Sequence, residues 1–290
     1  MPSADRLDHT VLNVKFNLDT AAALFGKLGF TLTPRGYHSH GSMNQLMMFG
    51  TDYLELIGIP EGKIIERKDL QDAPIGINGI VFKALNVDDI YARLQIARFD
   101  GDPPKAFHRP VNIKDGQRDA KFRTVTVRSG IFPGGRVYYC EHSTPELVWR
   151  PEWQSHANGV ISMQEFVTVA RDADGEAERF ATLLDTEPEI DPNGARCVTL
   201  DGCRITVLTF DQYSDRYGKL ASIMGGRDAI FGAVVFATKN LSMLNDLLGD
   251  LNGVVTHFHS DRTVIRLDAF DAVLEFVNNK AGKLSRDISA

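Results

Sequence analysis

Four short runs of apolar and β-branched residues, each followed by a segment of helical periodicity, recur along the chain. The apolar runs span Leu7–Val14, Ile77–Ala84, Met163–Ala170 and Ile230–Ala237. The helical segments span Asp19–Leu28, Val87–Ile96, Ala173–Leu184 and Leu241–Leu251. Runs of the first kind predict buried strands, and the spacing in the second kind predicts amphipathic helices. The chain is therefore predicted to contain four copies of one unit.

Each predicted helix begins at an Asp or Asn residue, whose side chain can accept hydrogen bonds from the first free N–H groups of a helix. These residues are Asn17 or Asp19, Asn86 or Asp88, Asp172, and Asn240. Further strands are predicted behind every helix, which gives each unit the order βαβββ. They span Thr31–Pro34, Gln45–Phe49, Tyr53–Ile59, Phe122–Arg128, Val137–His142, Ala195–Leu200, Arg204–Phe210, Val254–Phe258, Thr263–Asp268 and Val273–Val277. The polar stretch Pro103–Asp119 is predicted to be a long loop.

The units also pair by type, which suggests that a two-unit domain has been duplicated. Aligning the helices places His9 over Glu165 and Gly79 over Gly232, so a polar residue alternates with glycine. The polar, proline-containing segment Pro151–Asn158 precedes the third unit. We therefore predict one domain over residues 1–153 and a second over residues 154–290.

Composition restricts the function to small-molecule chemistry. The chain has 290 residues, of which 43% are hydrophobic and 24% charged, as in ordinary globular proteins. Its net charge is -6 and it has no basic tract, so nucleic-acid binding is not expected. No apolar run reaches the ~18 residues of a membrane span. The three cysteines are too few for a disulfide framework and favour a reducing, cytoplasmic location.

The repeat pattern and three sequence segments resemble the vicinal oxygen chelate superfamily, and in particular its glyoxalase-like domain branch. The segments are Leu7–Val11 (LDHTV), Phe49–Leu56 (FGTDYLEL) and His142–Trp153 (HSTPELVWRPEW). The resemblance implies an α+β fold in which four βαβββ modules form two paired domains with cupped mixed sheets. It also implies a divalent metal in the cup, with ligands from the first and last strands of each module.

His9 and Glu55 are the first candidate metal ligands. His9 occupies the usual ligand position of the family on the first strand, where alternation places it on one face with Val11 and Asn13, and Asp8 on the other. Glu55 interrupts an apolar strand, and a buried carboxylate there is costly unless it is paired or bound to metal. Imidazole and carboxylate together suit Zn, Fe, Mn, Ni or Co.

The second module is expected to complete the site from its last strand. Glu141 and His142 are adjacent there, so only one faces the cup on a regular strand. We predict His142 as a third metal ligand or catalytic residue and Glu141 as a general base. Gly79 stands where this module's first ligand is expected, so the ligand set departs from the family pattern. A metal-free cup that uses the same groups for acid–base work is the alternative.

Three further residues are candidates for substrate contact. His38 lies in a predicted loop near the cup, and Asn44 belongs to the segment Ser42–Gln45, which resembles the rim of the family's site. Arg150 could hold a carboxylate or phosphate bidentately, although packing across the domain joint is an equally simple role. The second domain is predicted to be degenerate, because Glu165 replaces the histidine of the first strand.

These observations favour a divalent-metal-assisted isomerase or lyase that acts on a small oxygenated metabolite. The alternative is a metal-free protein that binds or sequesters a small molecule, as resistance proteins of this fold do. A ring-cleaving dioxygenase is less favoured, because that class takes two histidines and one glutamate from its second domain. A purely structural role remains a third hypothesis. The chain is expected to be a monomer or a homodimer.

Overall fold

Two eight-stranded mixed sheets with the same strand order form the framework of the protein. The computed structural model describes residues 5–62, 67–114, 116–249 and 251–279. The first sheet contains β1 (Leu7–Lys15), β2 (Gly36–Tyr37), β3 (Met43–Met48), β4 (Tyr53–Gly58), β5 (Gly76–Lys83), β6 (Lys105–Ile113), β7 (Gly116–Thr126) and β8 (Arg136–His142). The second contains β9 (Val160–Ala170), β10 (Glu189–Ile190), β11 (Arg196–Leu200), β12 (Cys203–Leu208), β13 (Ala229–Thr238), β14 (Val254–Phe258), β15 (Arg262–Leu267) and β16 (Ala272–Asn278).

The strand orders confirm the predicted α+β fold of paired modules. The first sheet runs β2-β3-β4-β1-β5-β8-β7-β6, and the second runs β10-β11-β12-β9-β13-β16-β15-β14. In each sheet two first strands, β1 with β5 and β9 with β13, pair antiparallel at the centre. The last strand of each module pairs parallel with the first strand of the same module. The first and last strands of both modules, which carry the candidate site positions, are therefore the four central strands of each sheet.

The described helices are α1 (Leu18–Lys27), α2 (Lys68–Asp72), α3 (Val87–Ala97), α4 (Ala173–Leu183), α5 (Phe210–Tyr217) and α6 (Leu241–Leu248). The four predicted helices are present as α1, α3, α4 and α6, and two further helices, α2 and α5, were not predicted. The side chains of Asn86, Asp172 and Asn240 each accept a hydrogen bond from a backbone N–H of the first turn. Asn17 precedes α1 without such a bond. No helix in the described part of the chain is long and apolar enough to cross a membrane.

The prediction of a long loop over Pro103–Asp119 is wrong, because this stretch forms most of a β-hairpin. β6 pairs antiparallel with β7 over nine residue pairs, from Lys105 with Thr124 to Ile113 with Gly116. Most of its side chains are exposed, so the apolar alternation that predicts a half-buried strand is missing from the sequence. The strand predicted at Thr31–Pro34 is also wrong, and the two-residue β2 follows it instead.

The helix-covered faces of the two sheets share one hydrophobic core. Phe30 and Phe49 of the first half pack on Phe236 of the second, with ring centroids 5.8 and 5.7 Å apart. Phe276 lies 5.3 Å from Phe236 in the same cluster. The opposite faces are curved and form two separate apolar clusters, one for each sheet. The two cups therefore lie on the outer sides of a common core.

Helix α5 fills the second cup, and the sequence analysis did not predict it. Tyr213 and Tyr217 of α5 are buried, and so is Leu220 just behind it. They pack with Val167, Val235 and other apolar side chains of the second sheet's curved face. The two cups consequently differ, since the first contains a large cavity and the second is occupied by the protein itself.

Asp52 joins the two halves and gives a measurable pH dependence. Its Oδ1 accepts a hydrogen bond of 2.9 Å from the backbone N–H of Met163. Burial raises the pKa of Asp52 to about 7, and this hydrogen bond only partly offsets the shift. A carboxyl with a raised pKa is protonated in the folded state, so its contribution to stability is present near pH 4 and is lost as the pH rises through 7.

We predict that Asp52→Asn flattens this dependence. The neutral amide can still accept the Met163 hydrogen bond but carries no buried charge at high pH. At pH 8 the variant should exceed the wild type in free energy of unfolding by the order of a few kcal/mol. Urea unfolding at pH 5 and pH 8 measures this, with the exposed Asp228→Asn as control. An identical pH slope for wild type and Asp52→Asn would contradict the assignment.

Candidate functional site

The curved face of the first sheet encloses an open cavity of about 1140 Å³. Strands β1, β4, β5 and β8 form its floor, and the β6–β7 hairpin forms one wall. Its polar lining includes His9, His38, Asn44, Glu55, Arg109 and Tyr138. Apolar side chains such as Leu46, Ile57 and Phe122 line the rest. An enclosure of this kind, apolar with a few convergent polar groups, is typical of a small-molecule site.

His9 and Glu55 meet on the floor of the cavity. β1 and β4 pair in parallel with Val11 beside Glu55, so His9, two residues before Val11, points to the same face. The distance from His9 Nε2 to Glu55 Oε2 is 3.7 Å. Both side chains are buried, and the His9 ring stacks on Tyr53 at 4.4 Å. The structure thus brings together the first two predicted metal ligands.

Asp8 orients the His9 ring, contrary to the expectation that it faces away from the cup. The pairing of β1 with β5 shifts by one residue between Leu7 and His9, which breaks the regular alternation. Asp8 Oδ1 then lies 2.6 Å from His9 Nδ1. Because a carboxylate oxygen accepts, His9 Nδ1 is the donor in this contact, and Nε2 is the ring nitrogen that faces Glu55 and Tyr138.

The buried Asp8 carboxylate also contacts two groups behind the cavity wall. His142 Nε2 lies 3.1 Å from Asp8 Oδ1, and Lys83 Nζ donates to Oδ2 at 3.2 Å. Burial raises the pKa of Asp8, but the charges and hydrogen bonds of His142 and His9 outweigh it and hold the pKa well below its usual value. Asp8 is therefore ionised. His142 packs on Tyr53 and is linked to His9 through Asp8.

Glu55 is held by two neighbours on the adjacent part of the first module. Asn44 Nδ2 donates to Glu55 Oε1 at 2.6 Å, and His38 Nε2 lies 4.0 Å from the same oxygen. Burial raises the pKa of Glu55, but His9, His38 and the Asn44 hydrogen bond reverse this and lower it below 4.5. Burial lowers the pKa of His38 to about 4, so its imidazole is neutral. Two of the three predicted contact residues, His38 and Asn44, line the cavity.

Tyr138 and Gly79 occupy the positions of the second module that correspond to Glu55 and His9. Val11 pairs with Glu55 and Val81 pairs with Tyr138 in the equivalent register. The Tyr138 hydroxyl lies 3.3 Å from His9 Nε2. Burial raises the pKa of Tyr138 far above 10, so it is a neutral phenol here. Module one therefore supplies the imidazole and the carboxylate, and module two supplies a hydroxyl.

The donor chemistry of the floor fits a divalent metal. Two ligands at ~2.1 Å from one tetrahedral ion lie about 3.4 Å apart, close to the separation of His9 Nε2 and Glu55 Oε2. Each of these ligands is also oriented by a second group, Asp8 and Asn44 respectively, as is usual for metal ligands. His38 Nε2 and the Tyr138 hydroxyl are the nearest further donors on the floor.

A second donor group, Asp8 with Cys140 and His142, fits a metal less well. Their ligand atoms lie within 4.8 Å of one another. However, the Lys83 ammonium already compensates the Asp8 charge at 3.2 Å. Burial also raises the pKa of the Cys140 thiol well above 9, which disfavours the thiolate that metals bind. His142, predicted as a ligand beside His9 and Glu55, thus belongs to this second group and is not among the residues that line the cavity.

Glu141 and Arg150 have partners away from the cavity floor. Glu141 Oε2 accepts a hydrogen bond of 3.0 Å from the backbone N–H of Val87, at the start of α3. It also lies 3.6 Å from Arg123 Nη1. Arg150 donates to the carbonyl of Asn112 at 3.1 Å and forms an ion pair with Glu152. Neither side chain belongs to the lining of the cavity.

Arg109 is a lining residue that the sequence analysis missed. It lies on β6 in the stretch interpreted as a loop, so nothing placed it near the other site residues. Its side chain is 3% exposed, and Nη2 has no hydrogen-bond partner within the described residues. Burial lowers the pKa of Arg109, while Tyr53 and Glu55 oppose the shift. Arg109 could have been found only if the hairpin had been predicted, since alternation along β6 places Arg109 and Phe107 on one face.

In the second cup an arginine lies between the two buried carboxylates. Arg216 of α5 donates to Glu165 at 2.9 Å and to Glu275 at 2.8 Å. The Tyr217 hydroxyl donates to Glu275 at 2.8 Å as well. Glu165 corresponds to His9, as predicted, whereas the counterpart of Gly79 is Ala233 rather than Gly232. The alignment was one residue out, since Ala233 pairs with Val167 as Gly79 pairs with Val11, and Gly232 corresponds to the bulged Asn78.

A family model described as "Glyoxalase-like domain" matches residues 7–184. No curated protein matches significantly. A hypothetical protein from Staphylococcus aureus is similar in structure, with a TM-score of 0.64, 12% identity, and coverage of 94% of this chain and 99% of that one. A triple mutant of 4-hydroxymandelate synthase from Streptomyces coelicolor has a TM-score of 0.57, 13% identity, and coverage of 97% and 94%.

A third similar structure is a xylose isomerase-like TIM barrel/4-hydroxyphenylpyruvate dioxygenase fusion protein. Its TM-score is 0.59 and its identity 12%, and the match covers 97% of this chain and 50% of that one. At these identities the similarity demonstrates the shared fold. It agrees with the two sheets of paired modules described above.

We predict that Arg216→Met destabilises the protein by about 3–5 kcal/mol at pH 7.5, because it leaves two buried carboxylates without their shared cation. Burial raises the pKa of Glu165, but Arg216 outweighs it and lowers that pKa, so this stabilisation exists above pH ~4.5 and is lost on acidification. The deficit should therefore shrink once the pH falls below about 4.5, for example at pH 3.5. Urea unfolding at both pH values tests this, with the surface residue Arg171→Met as control. A deficit that does not depend on pH would refute the charge argument.

Proposed function

Because the chain belongs to the glyoxalase-like domain family, we propose that its first cup is a divalent-metal-assisted active site for a small oxygenated compound. The observation that carries this proposal is the convergence of His9 Nε2 and Glu55 Oε2 at 3.7 Å on the cavity floor. The proposed reaction type is an isomerisation or elimination next to a carbonyl group. A metal held by His9 and Glu55 would supply Lewis-acid polarisation of that carbonyl.

The remaining site residues have roles that follow from their contacts. Asp8 and Asn44 hold His9 and Glu55 in position, each through a hydrogen bond of 2.6 Å. His38 is the proposed proton acceptor, since its neutral imidazole lies at the floor with Nδ1 2.8 Å from Ser42 Oγ and Nε2 3.1 Å from Asn44 Nδ2. It replaces Glu141, whose carboxylate lies at α3. We assign His142 a positioning role through Asp8.

A metal-free binding protein is the second candidate, and a specific observation favours it. Two of the four equivalent floor positions, Gly79 and Tyr138, offer no imidazole or carboxylate. Catalytic metals usually have three protein ligands, and a third would have to come from His38 or Tyr138. Ring-cleaving dioxygenase chemistry is less favoured, because Arg216 lies between the carboxylates of the second cup.

We predict about one divalent ion per chain in protein purified without a histidine tag. His9→Ala and Glu55→Gln should each reduce the metal content at least about tenfold, since each removes one of two principal ligands. His108→Ala, an exposed histidine of the β6–β7 hairpin, should retain the wild-type content. Elemental mass spectrometry measures all four proteins. No bound metal in the wild type, even after incubation with Zn, Mn, Fe, Ni or Co, would transfer support to the metal-free candidate.

We also predict that Asp8→Asn weakens metal affinity by roughly 10–100-fold, because the orienting carboxylate of His9 is lost. Competition with a metal-sensitive dye gives the affinity. Asp69→Asn is the control, since Asp69 also lines the cavity but contacts Arg67 and Arg136 rather than His9. Equal affinities of Asp8→Asn and wild type would show that Asp8 has no role in positioning the ligand.

A further inference from the structure

Arg109 introduces a buried positive charge into the cavity for which the described residues provide no direct partner. The side chain is 3% exposed, and its Nη2 atom has no hydrogen-bond partner in the described ranges. Guanidinium groups remain charged, and a buried charge without a counter-charge is costly. Arg216 and Arg93, by contrast, each have a carboxylate partner, Glu275 at 2.8 Å and Asp5 at 2.7 Å. Arg109 is therefore arranged to bind an anion that none of the described residues provides.

A second guanidinium of the lining also has a spare donor. Arg136 donates to Asn78 at 2.9 Å and to Asp69 at 3.0 Å, but its buried Nη2 has no partner in the described part of the chain. Both arginines face the same cavity. Glu55 is close to both arginines, since the charge of Arg136 lowers the pKa of Glu55 and the charge of Glu55 raises the pKa of Arg109.

The surroundings of Arg109 fit an organic molecule rather than an inorganic ion. Phe107 lies two residues before Arg109 on β6 and therefore shares its face. Its ring stacks on Phe122 with centroids 5.0 Å apart, and both rings line the cavity. Gly36 leaves the space for the guanidinium, since an added Cβ would lie 3.0 Å from Arg109 Cδ. An anion on Arg109 would continue into an apolar body along Phe107.

We propose that Arg109 is the substrate-anchoring residue and that the substrate is an organic monocarboxylate with an apolar body. A carboxylate is preferred to a phosphate because the ionised Glu55 lies in the same cavity, and a second negative charge on the ligand would be repelled. The inference rests on the proposed function only in placing the reacting group near His9 and Glu55. Anion binding itself requires neither metal nor turnover.

The test compares carboxylates with their neutral amides. Benzoate, phenylacetate and hexanoate are titrated beside benzamide, phenylacetamide and hexanamide by ligand-observed NMR, with metal-free and metal-loaded protein. The wild type should bind at least one acid more tightly than its amide. Arg109→Gln should weaken that acid by about 10–100-fold, as expected for loss of a charged hydrogen-bond partner, and leave the amide unchanged. Arg109→Lys should lose less than Arg109→Gln.

Arg118→Gln provides the matched control, because Arg118 lies on the same hairpin but is exposed and paired with Glu146 at 3.1 Å. It should bind the acids as the wild type does. Thermal unfolding checks the fold, and Arg109→Gln should not lower the midpoint, since it removes an unpaired buried charge.

Three results would overturn the proposal. They are equal binding of every acid and its amide, unchanged acid binding in Arg109→Gln, or tighter binding of phenyl phosphate than of benzoate and phenylacetate. Acid binding that depends on Arg109 in a protein without metal would uphold the anchor while removing the metal-dependent function. The two failures are thus distinguishable.

Discussion

The Asp8 carboxylate is completely buried, and the surrounding first sheet is arranged to compensate its charge. Three elements supply the compensating groups, namely β1 with His9, β5 with Lys83 and β8 with His142. The irregular pairing at the start of β1 is what brings Asp8 to this face. Because one oxygen serves both histidines, the orientation of His9 in the cavity and the packing of His142 behind it are coupled. The position of the candidate site therefore depends on one buried charge.

The two cups balance buried charge in different ways, although their strand orders are the same. In the second cup Arg216 is a cation that belongs to the chain, and α5 fills the remaining space with Tyr213 and Tyr217. In the first cup Glu55 accepts a hydrogen bond from the neutral Asn44 and feels the charge of Arg136, while Arg109 faces the same cavity with its Nη2 atom unpartnered among the described residues. Space and charged groups of both signs remain there. This difference, rather than the fold, distinguishes a candidate site from a supporting domain.

Much of the fold could be predicted from the sequence because its signals are local. The four apolar runs, and the caps at Asn86, Asp172 and Asn240, depend on residues within one turn or one strand. The β6–β7 hairpin could not be predicted, since a solvated ribbon is held by backbone pairing and shows no apolar alternation. Helix α5 was missed for a related reason. Its buried residues Tyr213 and Tyr217 are spaced by four, but the segment between them is polar.

The site was predictable in proportion to how closely each residue follows regular strand geometry. His9 and Glu55 lie on regular stretches, and alternation places them on the cavity side. Asp8 departs from alternation through a one-residue shift that no local sequence pattern indicates, and Arg109 depended on the missed hairpin. Glu141 and His142 show what strand alternation cannot predict. The sequence could establish that only one of them faces the cup, but not that His142 would contact Asp8 instead of lining the cavity.

The charge balance of the second cup does not depend on free ions, because its cation, Arg216, is part of the chain. A bound metal stabilises a fold only to the extent that its concentration exceeds its dissociation constant, so a domain built around one weakens when the ion becomes scarce. Arg216 cannot dissociate, and its local concentration is fixed by the chain. Because the two halves share one aromatic core through Phe30, Phe49 and Phe236, the second half can support the fold of the first at any concentration of free ions. Loss of the metal proposed for the first cup would then leave the fold of the surrounding protein in place.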